Sequence, residues 1–246
     1  MDRMLFVAMS GAKETMKAQA INTNNLANAS TVGFRADFQS SLSQQVYGPG
    51  HPSRVYASTN TEGVDFSNGT IISTARELDM AVNGNGWIAV QDANGQEAYT
   101  RAGDLRIDNV GQITNGAGFM LLGNGGPISV PPHNKLQIGA DGTISIQPIG
   151  QSVDTLAIVD RIKLVNPENH QLEKGIDGLM RMRDGTTAQA DSGVGVVSGS
   201  LESSNVNTVG AMVRMIELAR QYETHIKLMA TAEDNDRASA EMLKMS

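Results

Sequence analysis

The sequence predicts an α+β fold: N- and C-terminal helices, paired in a coiled-coil-like manner, plus a central antiparallel β domain. Three observations predict it. Residues 2–29 and 206–244 run without proline, each with a single glycine, Gly11 and Gly210. Apolar residues in both stretches recur every three or four positions, as one side of a helix requires. Between them, short apolar runs are punctuated by Asn-Gly and Asp-Gly pairs, the pattern of strands joined by tight turns.

The N-terminal helix carries Leu5, Ala8, Ala12, Thr15, Asn22 and Leu26 on one face and Phe6, Met9, Met16, Ala20 and Ala27 on another. Ala8, Ser10, Gly11 and Ala12 are small, so a second helix can approach closely. They also leave little area to bury alone. At about 25 cal/mol per Å² of apolar surface, such a helix needs neighbours to persist. Asn28, Ser30, Thr31 and Gly33 are capping and breaking residues that end it.

Residues 36–75 read as an extended connector with a few short strands, and Gly48-Pro49-Gly50-His51-Pro52 breaks any helix there. Strands dominate 76–200. Trp87-Ile88-Ala89-Val90 is followed by a turn at Asp92-Ala93-Asn94-Gly95, and Tyr99-Thr100-Arg101 begins the next strand. Leu136 to Ile138 and Thr143 to Ile146 alternate with period two, and Val153 to Val165 continues the pattern. An antiparallel sandwich or open barrel is expected.

In the C-terminal stretch, capped by Asn205 or Asn207, Met212, Met215, Ala219, Tyr222, Ile226, Met229, Glu233, Asp236, Ala240 and Leu243 alternate three and four apart. That is a coiled-coil seam. Val206, Val209, Val213 and Ile216 form a second apolar stripe. A helix of ~39 residues spans about 58 Å, longer than a domain of this size is wide. Part of its surface therefore needs a partner. The organisation is an N-terminal assembly helix (1–35), a connector (36–75), a β domain (76–200) and a C-terminal assembly helix (201–246).

Composition narrows the chemistry. The absence of cysteine excludes disulfide scaffolds, thiolate metal sites and cysteine nucleophiles. The net charge of -7 disfavours nucleic acid. His51, His133, His170 and His225 lack ligand spacing. Gly84-Asn85-Gly86 and Gly123-Asn124-Gly125-Gly126 match no nucleotide fingerprint and read as β-turns. Asp79 and Asp104 lack the companions a hydrolase needs, and Arg76, Arg101 and Arg106 read as members of local ion pairs. No catalytic residue, metal or cofactor is expected. No run approaches the ~20 apolar residues of a membrane span. The six-residue stretch Met4 to Met9 falls short of a cleaved signal peptide.

Three motifs carry a family resemblance. Asn24-Asn25-Leu26-Ala27-Asn28-Ala29-Ser30-Thr31-Val32-Gly33-Phe34-Arg35 resembles the N-terminal signature of flagellar basal-body rod and hook proteins. Leu78 to Val90, with Tyr99-Thr100-Arg101-Ala102-Gly103, is similar to the start of their β domain. Ser200 to Val206, with Met215-Ile216 and Arg220-Gln221-Tyr222-Glu223, resembles their C-terminal signature. The start, Met1 to Ala12, and the ending, Glu233 to Ser246, resemble a proximal-rod member, with a distal-rod or hook-type axial subunit as the other reading within the family.

The resemblance implies a non-catalytic subunit of the periplasmic drive shaft. It implies passage through the flagellar type III export apparatus. Its partners would be proximal and distal rod subunits and copies of itself. The assembly surface expected on that basis comprises Asn25, Leu26, Asn28, Gly33, Phe34, Asn205, Met212, Met215, Ile216, Ala219, Tyr222, Ile226 and Met229. A reading of another class, a secreted β-sandwich binding module with an ordinary dimer coiled coil, would need stacked aromatics or convergent carboxylates within 76–200.

Overall fold

The computed structural model describes residues 4–45, 55–150 and 156–244, with the side chains of 59–62 left aside. Val153 and the Gly48 to Pro52 break lie outside the described residues. The chain forms two units. One gathers residues 1–29, 36–65 and 206–246; the other gathers 30–35 and 66–205.

The first unit contains helices α1 (Met4–Ala27) and α2 (Thr208–Lys244). Asn207 caps α2 by accepting the N–H of Gly210 through its side chain at 3.0 Å, in a polar turn that cannot extend the helix backwards. Asn28 closes the C-terminal end of α1, donating its side-chain amide to the carbonyl of Asn24 at 3.0 Å. The helices run antiparallel: Asn22 donates to the carbonyl of Ala211 at 2.8 Å, and the ring of His225 occupies the notch left by Gly11.

Within the connector, strands β1 (Asp37–Gln45) and β2 (Val55–Val64) pair antiparallel, with a register shift between Ser40 and Ser41. Their Ser, Thr and Gln content suits a ribbon with little burial. Two side chains of α1 hold it. Asn25 accepts from the N–H of Asp37 at 2.9 Å and donates to its carbonyl at 2.7 Å, as a neighbouring strand would. Glu14 accepts from the Gln39 amide at 2.8 Å.

The second unit is antiparallel throughout. Strands β3 (Ile71–Ser73), β4 (Met80–Asn83), β5 (Trp87–Gln91) and β6 (Glu97–Thr100) lead it. β5 lies between β6 and the strand Met120–Gly123, and Trp87 to Val90 are buried on both faces. Strands 133–138, 143–148 and 157–161 form a second sheet, in which Leu136, Ile138, Ile144 and Ile146 alternate inward as period two requires. Both sheets contribute to one core that includes Met80, Ile88, Leu105, Leu121 and Ile144. Two ribbons complete the unit: 195–198 pairs with β4, and Ser200–Glu202 pairs with β3.

Candidate functional site

Each motif behind the resemblance delivers one charged residue to a single buried cluster of the second unit. Arg35 follows the N-terminal signature, Arg101 lies just after β6, and Glu202 ends the last short strand. Their fractional exposures are 3%, 3% and 1%. Arg35 Nη2 lies 2.8 Å from one oxygen of Glu202, and Arg101 Nη1 lies 2.9 Å from the other. The Glu202 carboxylate also accepts the N–H of Gly69 at 2.9 Å. Arg35 donates further to the Ser67 carbonyl at 2.6 Å and the Asn68 side chain at 3.0 Å.

Trp87 packs against both cations, with Arg35 and Arg101 at 5.8 and 5.4 Å from its ring centroid and Phe66 edge-on at 6.2 Å. Planar, weakly hydrated guanidinium groups suit such stacking. Burial pulls the Arg101 guanidinium below its ordinary range; Glu202 opposes that shift and the neighbouring Arg35 charge adds to it.

The cluster ties together the segments through which the chain enters and leaves this unit. Gly33 donates its N–H to the Glu202 carbonyl at 2.8 Å, and Asn205 donates its own to the Phe34 carbonyl at 3.3 Å. Gly33 has φ +66°, and a Cβ there would collide with the backbone of Arg101 and Ala102. Both facts require glycine. Lys174 sits 4.1 Å above the Phe34 ring and donates to the Arg35 carbonyl at 2.8 Å. Two cations on one carboxylate leave the cluster formally positive. Breaking a buried pair of this kind costs about 3–5 kcal/mol.

The expected assembly residues divide between the units. Gly33, Phe34 and Asn205 belong to the clamp just described, and Asn205 bonds Ser67 rather than capping α2. Asn25 and Leu26 are half-buried on α1, and Asn28 closes its end. On α2, Met215, Ala219, Tyr222 and Met229 are half-buried, whereas Met212, Ile216 and Ile226 are exposed at 55%, 57% and 42%. The fully buried positions are Ala211, Leu218 and Ala232. Together with the half-buried Met215, Tyr222, His225 and Met229 they keep the alternation of three and four, but every second member is one residue earlier than the sequence suggested. Ala211 and Ala232 permit close approach to α1 and are buried with Leu218, while the bulky Met212 and Ile216 are exposed.

α1 behaves alike: Ala8, Gly11, Ala12, Thr15 and Asn22 are buried, while Phe6, Met9 and Met16 are exposed at 44%, 52% and 56%. The helix pair therefore keeps an outward apolar surface after its inner seam is closed.

Sequence reasoning missed the charged cluster. It placed Arg101 in a local ion pair, but its partner, Glu202, is remote in sequence. The available signal was that Arg35, Arg101 and Glu202 each fall inside one of the three family motifs. The Asp79 carboxylate accepts from Thr74 at 2.7 Å and lies 3.5 Å from Arg76, a structural use. Among the described residues no three Asp, Glu or His gather as a metal site, and no helix is long and apolar enough to cross a membrane.

Three family models match the chain in succession. The family model described as "Flagella basal body rod protein" matches residues 5–35, "Flagellar hook protein FlgE/F/G D1 domain" matches 81–146, and "Flagellar basal body rod FlgEFG protein C-terminal" matches 197–242. Matches in all three parts define a component of the flagellar basal-body rod and hook class. The chain belongs to the flagellar basal-body rod protein family. It is 40% identical over 252 residues to the flagellar basal-body rod protein FlgF of Escherichia coli (strain K12), and 38% identical to FlgF of Salmonella typhimurium (strain LT2), with 100% of each chain covered. To the rod protein FlgG of Bacillus subtilis (strain 168) it is 32% identical, over 94% of this chain and 96% of the relative.

Proposed function

We propose that this chain is a structural subunit of the proximal rod, and that it joins its neighbours through the outward apolar faces of α1 and α2. The observation that carries the reading is the exposed surface of Phe6, Met9 and Met16 on α1 and of Met212, Val213 and Ile216 on α2, left open although the helices already cover each other. Contiguous apolar area on a water-facing surface marks an association site. The inner alternation from Ala211 to Ala232 supports an intramolecular antiparallel coiled coil, and the outer stripe supports packing against helices of rod subunits and further copies. A contact that each copy repeats without closing on itself generates a helical tube.

In this reading the subunit lies in the periplasm and reaches it through the flagellar export apparatus, without a cleaved signal peptide. It performs no catalysis. The test is Ile216→Asp in the full-length chain. Incorporation into purified basal bodies should fall by at least tenfold while the circular dichroism and melting of the monomer stay as in the parent. Normal incorporation would remove the helix face from the mechanism.

A further inference from the structure

A cleft of about 300 Å³ opens beside Trp87 in the second unit, lined also by Asn85, Arg101, Asn166, Glu168 and Asn169. Its walls are unlike the surrounding core. Arg101 carries five N–H groups; one reaches Glu202 and one the carbonyl of Gly84, at 2.9 and 2.8 Å. Its Nε is buried with no acceptor among the described residues, and the same holds for Nε of Arg35, which shares the Glu202 carboxylate. The buried cluster therefore has one cation more than it has carboxylates, and spare donors as well. Gly84-Asn85-Gly86, a tight turn with φ of +76° and +128° at its glycines, brings the Asn85 amide to the mouth. The loop at 166–169 supplies two further amides. A surplus guanidinium with unmet N–H groups, an aromatic wall and three amide side chains is the chemistry that receives a carboxylate.

We propose that this cleft is a receptor for a carboxylate group, seated against Arg101 and Trp87 and ringed by the three asparagines. Two sources offer that chemistry: an acidic side chain of a neighbouring polypeptide, or a free small carboxylate. Glu168, exposed at the rim, lowers the local potential and weakens the site as it stands.

Trp87 is the single tryptophan of the chain, so intrinsic emission reads the cleft without a label. The probe is the blocked tripeptide acetyl-Gly-Glu-Gly-amide, titrated into the full-length protein at constant ionic strength beside its Gln counterpart. A saturable change in emission with the Glu peptide and none with the Gln peptide is expected. Exposed charges shift such an equilibrium modestly, so Glu168→Gln should tighten binding and Asn166→Asp weaken it, each about two- to fivefold. Both positions are surface-exposed, so these variants keep the fold. No saturable change, equal changes with both peptides, or Glu168→Gln and Asn166→Asp shifting in the same direction would each overturn the proposal.

The source is separated in cells. If a neighbouring chain supplies the carboxylate, Asn166→Asp lowers incorporation into basal bodies although its monomer melts normally. If a free carboxylate fills the cleft, incorporation is unchanged while the peptide still binds in vitro.

Discussion

The N–H of Gly33 meets the carbonyl of Glu202 at 2.8 Å, so the segment leaving α1 is stitched to the last short strand of the β unit. Residues 30–35 consequently contribute to that unit and not only to the helix before them. A truncated chain spanning 30–205 should retain the cooperative unfolding of the β unit. One spanning 36–205, which lacks Gly33, Phe34 and Arg35, should lose about 3 kcal/mol or more, since the buried Glu202 loses both the Arg35 ion pair on its carboxylate and the Gly33 N–H on its carbonyl. Urea denaturation followed by Trp87 emission checks this; equal midpoints for the two chains would refute it.

Glu202→Ala removes the one carboxylate between two buried guanidinium groups. The expected loss is about 3–5 kcal/mol of unfolding free energy. Glu202→Ala combined with Arg35→Met should be less damaging than the sum of the single variants, because the second change removes a stranded charge. A double-mutant cycle measures the coupling directly.

Arg181 bridges two carboxylates, lying 2.7 Å from Asp92 and 2.6 Å from Asp177. Its hydrogen bonds hold both carboxyl groups below their ordinary range, more strongly than their desolvation raises them. Groups depressed in the folded state bind more protons once unfolded. They contribute stability above about pH 4, which is lost as pH falls through the depressed values. Arg181→Met should therefore lower the melting temperature at pH 6 and flatten its decline below pH 4. A parallel downward shift at every pH would contradict this assignment.

His225 packs into the space over Gly11, where a Cβ would meet the imidazole ring. Gly11→Leu should separate the helices despite the higher helix propensity of leucine, costing the helical unit about 1–3 kcal/mol. Amide exchange in 4–27 and 208–244 should rise while the β core stays protected.

Much of the fold was legible because it rests on local periodicity. Thr143 to Ile146 sends alternate residues inward, and no other element could use that spacing. The seam of α2 was legible in period but not in phase. Met212 and Ile216 are exposed, yet the nearby Ala211 and Leu218 are buried. When two faces of a helix are both apolar, composition cannot say which looks inward. The cluster of Arg35, Arg101 and Glu202 joins residues distant in sequence, and no spacing rule connects them. The β1–β2 ribbon was legible only as a few short strands, because Ser, Thr and Gln dominate its sequence and leave no clear alternation.

The helix pair joins two stretches that stand at opposite ends of the translation order. α1 is complete by Ala27, but the surface that covers Ala8, Ala12 and Thr15 begins only at Thr208. A chain delivered from its amino end thus holds its first helix in waiting until nearly everything else has emerged. The β unit, continuous from Phe66 to Asn205, has all but six of its residues in one uninterrupted run and can settle beforehand. It then shortens the loop whose closure opposes pairing of the ends. Length itself acts as a clock, and the helical unit becomes complete only when the final stretch of the polypeptide is in place.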